Sequence, residues 1–156
     1  MNKRTVLGLV ALVWLVSGAA EGSAAYSNAS VAGTWVCVGG GSAQVKDDKG
    51  ATSWGPMSFS GILTLDGKGK VTAIKETVNT AGLSCNYTVG EGSTYSVSSD
   101  GSETGILNLT AAGSNPSQCP ATVTIHGSVF LQSATSVFGV GTDPNASDWF
   151  TCNKRK

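Results

Sequence analysis

From about residue 32 onward, hydrophobic and polar residues alternate in short runs, and no stretch shows the 3.6-residue period of an amphipathic helix. Val, Ile, Thr, Tyr and Phe dominate the runs, and Gly, Asp, Asn and Ser separate them. This spacing is typical of an all-β fold. It predicts nine strands, over 32–39, 57–66, 69–78, 83–89, 93–99, 103–110, 121–131, 135–141 and 148–153.

Two of these strands have one apolar face and one face rich in hydroxyl groups. Met57, Phe59 and Leu63 share a face with Gly61 and Leu65, and the strand over 121–131 alternates in the same way. Such strands suit an antiparallel sheet with one face in water. Asp-Gly turns within 65–69 and 99–102 predict two hairpins. The fourth and fifth strands are either separate or one strand bent across Gly90 and Gly92.

Two segments between the strands are predicted as loops. The longer one covers 40–56, opens within the run Gly39-Gly40-Gly41 and carries Trp54. Loops of this length are usually functional or disordered. The shorter one covers 111–120.

The predicted fold is an antiparallel up-and-down barrel of about eight strands, because closure removes the edge strands that a weakly charged β protein would expose. A two-sheet β-sandwich built from the same strands is the alternative.

The first 25 residues have the pattern of a secretory signal. Lys3 and Arg4 precede a mostly apolar run of 12 residues, 5–16, and small residues follow it. Cleavage after Ala20 and cleavage after Ala25 both fit. Twelve residues are too few to cross a hydrocarbon core of roughly 30 Å, so we expect no membrane span. The expected product is a single domain, 26–156, that is secreted or periplasmic.

Charge gives little indication of a partner. Only 13% of the residues are charged and the formal net charge is zero. A nucleic-acid-binding protein needs a basic stripe to neutralise phosphates, and none is present, so we expect no nucleic acid as partner.

The four cysteines all follow the signal segment, and an even number in an exported chain predicts two disulfides. The nearest two are 33 residues apart, which does not fit a zinc site, and no metal is expected. Cys37 lies in the first predicted strand and Cys152 in the last, and these strands are neighbours in a closed barrel. This predicts the pair Cys37–Cys152 and leaves Cys85 to pair with Cys119.

No catalytic group of residues is visible, and we expect neither an enzyme nor a cofactor. His126 is the single histidine and lies on the hydroxyl-rich face of its strand, which indicates a surface position. No Gly-x-Ser-x-Gly motif supplies a nucleophile. Most acidic residues lie in turns, where Asp usually bonds its own backbone.

A Gly-x-Trp motif, formed by Gly33 and Trp35 on the first strand, precedes the long segment and a series of hairpins. This arrangement resembles the calycin-like barrels, the lipocalins and avidins. The resemblance implies that Trp35 lies near the closed end, that 40–56 partly covers the open end, and that Arg155 stacks on Trp35. The chain also resembles small exported bacterial proteins in which the turn over 65–71 follows such a motif, a group that implies no activity.

An eight-stranded barrel can hold one small ligand or be filled by its own side chains. The first functional hypothesis is therefore a barrel that binds a small, partly apolar ligand in its interior. Its candidate ligand-binding residues are Trp54, Met57, Phe59, Leu63 and Tyr95. The second hypothesis is a protein-interaction or structural module, such as an exported inhibitor or a surface protein. That module has no small-molecule site and acts through its loops, chiefly 40–56.

Overall fold

The computed structural model describes residues 25–46, 49–113 and 116–156. Nearly all of the predicted signal segment, 1–24, lies outside the described residues. Within them, the chain forms nine antiparallel strands and one short 3-10 helix, Asn28–Val31. The strands are β1 Gly33–Lys46, β2 Thr52–Leu65, β3 Val71–Thr80, β4 Leu83–Val89, β5 Thr94–Val97, β6 Ser102–Ala111, β7 Thr122–Ser133, β8 Ser136–Gly141 and β9 Ala146–Lys154.

The strands form a single antiparallel sheet in which eight of them make a closed, barrel-like ring. β1 pairs with both β2 and β9, and the ring closes on the other side where β4 pairs with β6. Consecutive strands are neighbours around the rest of the ring. The predicted up-and-down arrangement is confirmed, and the described strands do not separate into the two sheets of a sandwich.

β4 and β5 act as successive halves of one bent strand. β4 pairs with β6 over 87–89, and β5 pairs with the same strand further along, over 94–97. Between them Gly90 comes so close to β6 that a Cβ there would lie 2.9 Å from the carbonyl oxygen of Asn108. The bent-strand interpretation is therefore the correct one, and glycine permits the close approach.

The prediction of a loop over 40–56 is wrong. β1 continues to Lys46 and β2 starts at Thr52, and the two strands pair along their whole length. The glycine run looked like a strand terminator, but Gly39 and Gly41 are needed inside the ring. A Cβ at Gly39 would collide with the ring of Phe59, and one at Gly41 with the backbone at Ser147. Thus 40–46 and 52–56 do not form a lid but belong to paired strands in the wall.

One end of the ring is filled with side chains and is called the closed end here. Trp35 is 2% exposed there, and its indole Nε1 donates a 2.7 Å hydrogen bond to the carbonyl of Val31 in the 3-10 helix. The ammonium group of Lys154 lies 5.8 Å from the centre of the Trp35 ring. The expectation that Arg155 stacks on Trp35 is wrong in detail, because Lys154, not Arg155, faces the interior. The 3-10 helix and Trp35 together close this end.

Both predicted disulfides are present. Cys37 and Cys152 face each other in the β1–β9 pairing, with their Cα atoms 4.1 Å apart. Cys85 of β4 is bonded to Cys119, with Cα atoms 5.7 Å apart, and this ties the segment 116–121 to the wall. The first bridge joins the first and last strands, as expected for neighbours in a closed ring.

Candidate functional site

The other half of the ring contains a cavity of about 820 Å³. It extends from the Cys37–Cys152 bridge to the end of the ring opposite the closed end, where exposed Gln44, Lys46 and Gln118 form its rim. Pockets for small molecules usually enclose roughly 300–1,000 Å³. The interior is therefore large enough for one small ligand.

The wall of the cavity is mostly apolar because the inward positions of the alternating strands carry hydrocarbon side chains. Phe59 and Phe150 approach each other with ring centres 6.3 Å apart. Their rings lie against glycines of the wall: a Cβ at Gly39 would meet Phe59, and one at Gly139 would meet Phe150. Other apolar lining residues are Met57, Leu63, Ile74, Val78, Leu83, Leu107, Leu109, Val123 and Ile125.

Of the five predicted ligand-binding residues, Met57, Phe59 and Leu63 line the cavity. The structure does not bring the other two together with them. Trp54 lies on the outer side of β2 and is 54% exposed. Tyr95 is 5% exposed in the closed end, where its hydroxyl oxygen accepts a 2.8 Å hydrogen bond from the Gly67 backbone. Its environment indicates a structural role.

Three acidic side chains also line the cavity, Glu76 of β3, Asp143 at the rim and Asp148 of β9, and none of them was among the predicted ligand-binding residues. Glu76 lies opposite Gly61 on one side and opposite buried Tyr87 on the other. The available signal was a charge in phase with the apolar residues Ile74 and Val78. Acidic residues in a largely apolar interior are a common feature of functional sites.

Burial alters the protonation of Glu76, Asp148 and Tyr87. It raises the pKa of Glu76 to about 7, and the neighbouring Asp148 carboxylate adds to the effect. The pKa of Asp148 is raised by burial and by Asp143. The pKa of the Tyr87 phenol is raised by burial and by Glu76. Each shift has burial as its main cause, because a low-dielectric surrounding disfavours the charged form of an acid.

At the rim, Asp143 holds the single histidine. Its carboxylate contacts Nδ1 of His126 at 2.7 Å and accepts a 2.8 Å hydrogen bond from the His126 backbone. The His126 side chain is 50% exposed on the outer face, which confirms its predicted surface position. The pair anchors the loop between β8 and β9 to β7.

Within the ranges that the structure describes, no group of three or more His, Cys, Asp or Glu side chains is placed to hold a metal ion. No helix among these residues is long and apolar enough to cross a membrane. The sequence matches no model of a known protein family and shows no significant similarity to a curated protein.

Proposed function

We propose that the protein is an exported binding protein that holds a small, largely apolar ligand inside its barrel-like ring, without catalysis. The observation that carries this proposal is the 820 Å³ cavity with its apolar wall and exposed rim. A chain of this size ordinarily fills its interior at close packing, so a cavity of ligand size needs an explanation. Occupancy by a ligand supplies one.

Two further features support the proposal. The two disulfides are expected of a protein that works in an oxidising compartment, and the N-terminal segment has the pattern of an export signal. The position of Trp35 at the closed end is also what a resemblance to the calycin-like barrels implies.

The second candidate function is an interaction module without a small-molecule site. Its supporting observation is the outer face, where Phe130 is 57% exposed and Trp149 is 50% exposed. The segment 40–56, once the expected contact loop, is almost entirely paired strand, and deleting 42–53 would remove part of the wall. Absence of any ligand would favour this second function.

The test is titration with N-phenyl-1-naphthylamine, a fluorophore whose nitrogen stays uncharged at neutral pH and whose emission rises in apolar surroundings. We expect saturable binding with one site per chain. A Leu63→Trp/Ile125→Trp variant places two larger side chains inside the cavity beside Phe59 and should weaken or abolish the signal.

The matched control introduces two tryptophans on the outer face of the ring instead of the inner face. Val38 of β1 and Ile106 of β6 point outward, are exposed and lie outside the cavity lining, so a Val38→Trp/Ile106→Trp variant should bind the fluorophore like the unmodified protein. Equal binding by both double variants, or no binding by the unmodified protein, would reject an interior site. Native mass spectrometry of protein from its source would then identify any ligand that co-purifies.

A further inference from the structure

Of the three carboxyl groups that line the cavity, those of Glu76 and Asp148 accept no hydrogen bond from any of the described residues. Glu76 lies halfway along β3. Asp148 lies in β9 and packs its carboxyl group against Gly141 of β8. Buried acids in proteins are usually paired with a cation or hydrogen-bonded. Glu76 and Asp148 are partly buried, their carboxyl oxygens stay accessible from the cavity, and neither has such a partner among the described residues.

The wall is shaped to accept both side chains. A Cβ at Gly61 would lie 3.1 Å from the Cβ of Glu76 and 2.7 Å from the carbonyl oxygen of Lys75. A Cβ at Gly141 would collide with the Asp148 carboxylate. Glycine is thus required opposite each acid, and the two carboxylates lie in positions that the strand pairing holds open.

The remaining charges of the cavity do not balance these acids. Among the described lining residues Lys46 is the one basic residue, and it is exposed at the rim. Asp143 adds a third carboxylate, which His126 already contacts. An anionic ligand would meet repulsion deep in the cavity, whereas a cationic group would find two acceptors there.

We propose that the ligand is an apolar amine whose hydrocarbon body contacts Phe59, Leu63 and Ile125 and whose ammonium group pairs with Glu76, assisted by Asp148. This rests on the proposed function, since it names the class of molecule that the cavity takes. The pairing supplies the missing hydrogen-bond donors, and the apolar wall supplies most of the binding energy through burial.

The pairing makes binding depend on pH. The groups that face Glu76 are Tyr87 from β4 and Asp148 from β9, with Asp143 and Lys46 at the rim; β2 presents Gly61. The pKa of Glu76 is about 7 in the empty cavity. An ammonium group must therefore displace its proton below that pH, so affinity for an amine is full above pH 7 and falls as the pH is lowered.

The experiment compares three ligands with one naphthalene body: 1-naphthylmethylamine, 1-naphthylmethanol and 1-naphthoate. Displacement of N-phenyl-1-naphthylamine at pH 7.5 gives their affinities. We expect the amine to bind at least about tenfold more tightly than the alcohol, in the range of a charge-assisted hydrogen bond, and the carboxylate to bind most weakly. Glu76→Gln should remove the preference for the amine while the alcohol binds as before.

Glu103 provides the matched control variant. It is a second inward-facing acid, opposite buried Val129, and burial also raises its pKa to about 7, but it lies outside the cavity lining. Glu103→Gln should leave the preference for the amine intact. A general effect of removing an interior charge would alter both variants alike.

The outcomes separate the two proposals. If the fluorophore binds and amine and alcohol compete equally, the amine inference is overturned and the interior site stands. If neither the fluorophore nor any of the three ligands binds, both are overturned. Should Glu76→Gln fail to fold, the unmodified protein decides: amine affinity should fall by at least about tenfold between pH 7.5 and 5.5 while alcohol affinity stays constant. A constant amine affinity would overturn the inference.

Discussion

Removal of the Cys37–Cys152 bridge should cost more stability than removal of the other bridge. The first spans 115 residues and the second, Cys85–Cys119, spans 34. The chain-entropy relation gives about 4–5 kcal/mol for the longer loop and about 3–4 kcal/mol for the shorter one. Because the second bridge lies inside the first loop and shortens it, the expected difference is slightly under 1 kcal/mol.

The assay is equilibrium unfolding in urea, with tryptophan fluorescence as the probe. It compares a Cys37→Ala/Cys152→Ala variant and a Cys85→Ala/Cys119→Ala variant with the unmodified protein. Both should show a lower midpoint, and the first should show the larger loss. For the first variant, the free energy of unfolding should also depend more steeply on urea concentration, because the unfolded chain without the long cross-link exposes more surface. A loss below about 1 kcal/mol for the first variant would refute the entropic reasoning, because that reasoning expects about 4–5 kcal/mol. Such a loss is a large part of the total stability of a domain, about 5–15 kcal/mol, and is therefore measurable.

Three further predictions concern other parts of the ring. Burial raises the pKa of Glu76 and Glu103 from 4.5 to about 7, so the folded state binds more protons and stability should fall as the pH rises from about 4.5 through 7. Each group accounts for at most about 3 kcal/mol of this loss of stability, and for less where water enters the cavity. Thermal melts of Glu103→Gln should therefore show a weaker pH dependence than those of the unmodified protein. Gly39→Ala should cost about 1–3 kcal/mol in urea unfolding, because its Cβ meets Phe59, whereas Gly40→Ala, on the outer face, should cost less. Tyr95→Phe leaves the Gly67 amide without its acceptor and should cost about 1–3 kcal/mol, with fluorophore affinity unchanged; weaker binding would return Tyr95 to the ligand site.

The fold was predictable because alternation and turn residues act locally. Asp-Gly turns at 66–67 and 100–101 form as expected, with the Asp66 and Asp100 carboxylates accepting hydrogen bonds from the backbone two residues on. The extension of β1 and β2 was not predictable from propensity, because three consecutive glycines are unfavourable in a strand. Gly39 and Gly41 are tolerated because Phe59 and the backbone of β9 take the space that their side chains would occupy, a contact between residues distant in sequence.

The candidate site was predictable only in part, because the alternation of inward and outward residues is regular in β2 but not in β3. Met57, Phe59 and Leu63 were identified because they alternate regularly in a strand of uniform phase. In β3 the pairing register shifts at Leu65, and the buried positions pass from Val71 to Ile74, an odd step. Counted from Val71 the alternation would place Glu76 outward, and only its phase with Ile74 and Val78 indicates the interior. Trp54 was expected in a loop. Because β2 begins at Thr52, Trp54 instead lies in a strand, where its side chain points to the outer face.

The pairing of β1 with β9 gives the molecule a direction. β1 begins and β9 ends at the closed end, where Trp35 pairs with Lys154, while the cavity rim lies at the far end of both strands. The chain therefore enters β1 and leaves β9 on the side opposite the rim. Tethering the protein to a surface through either flank would orient the cavity outward, and a fusion partner added there would not obstruct the entry of a ligand.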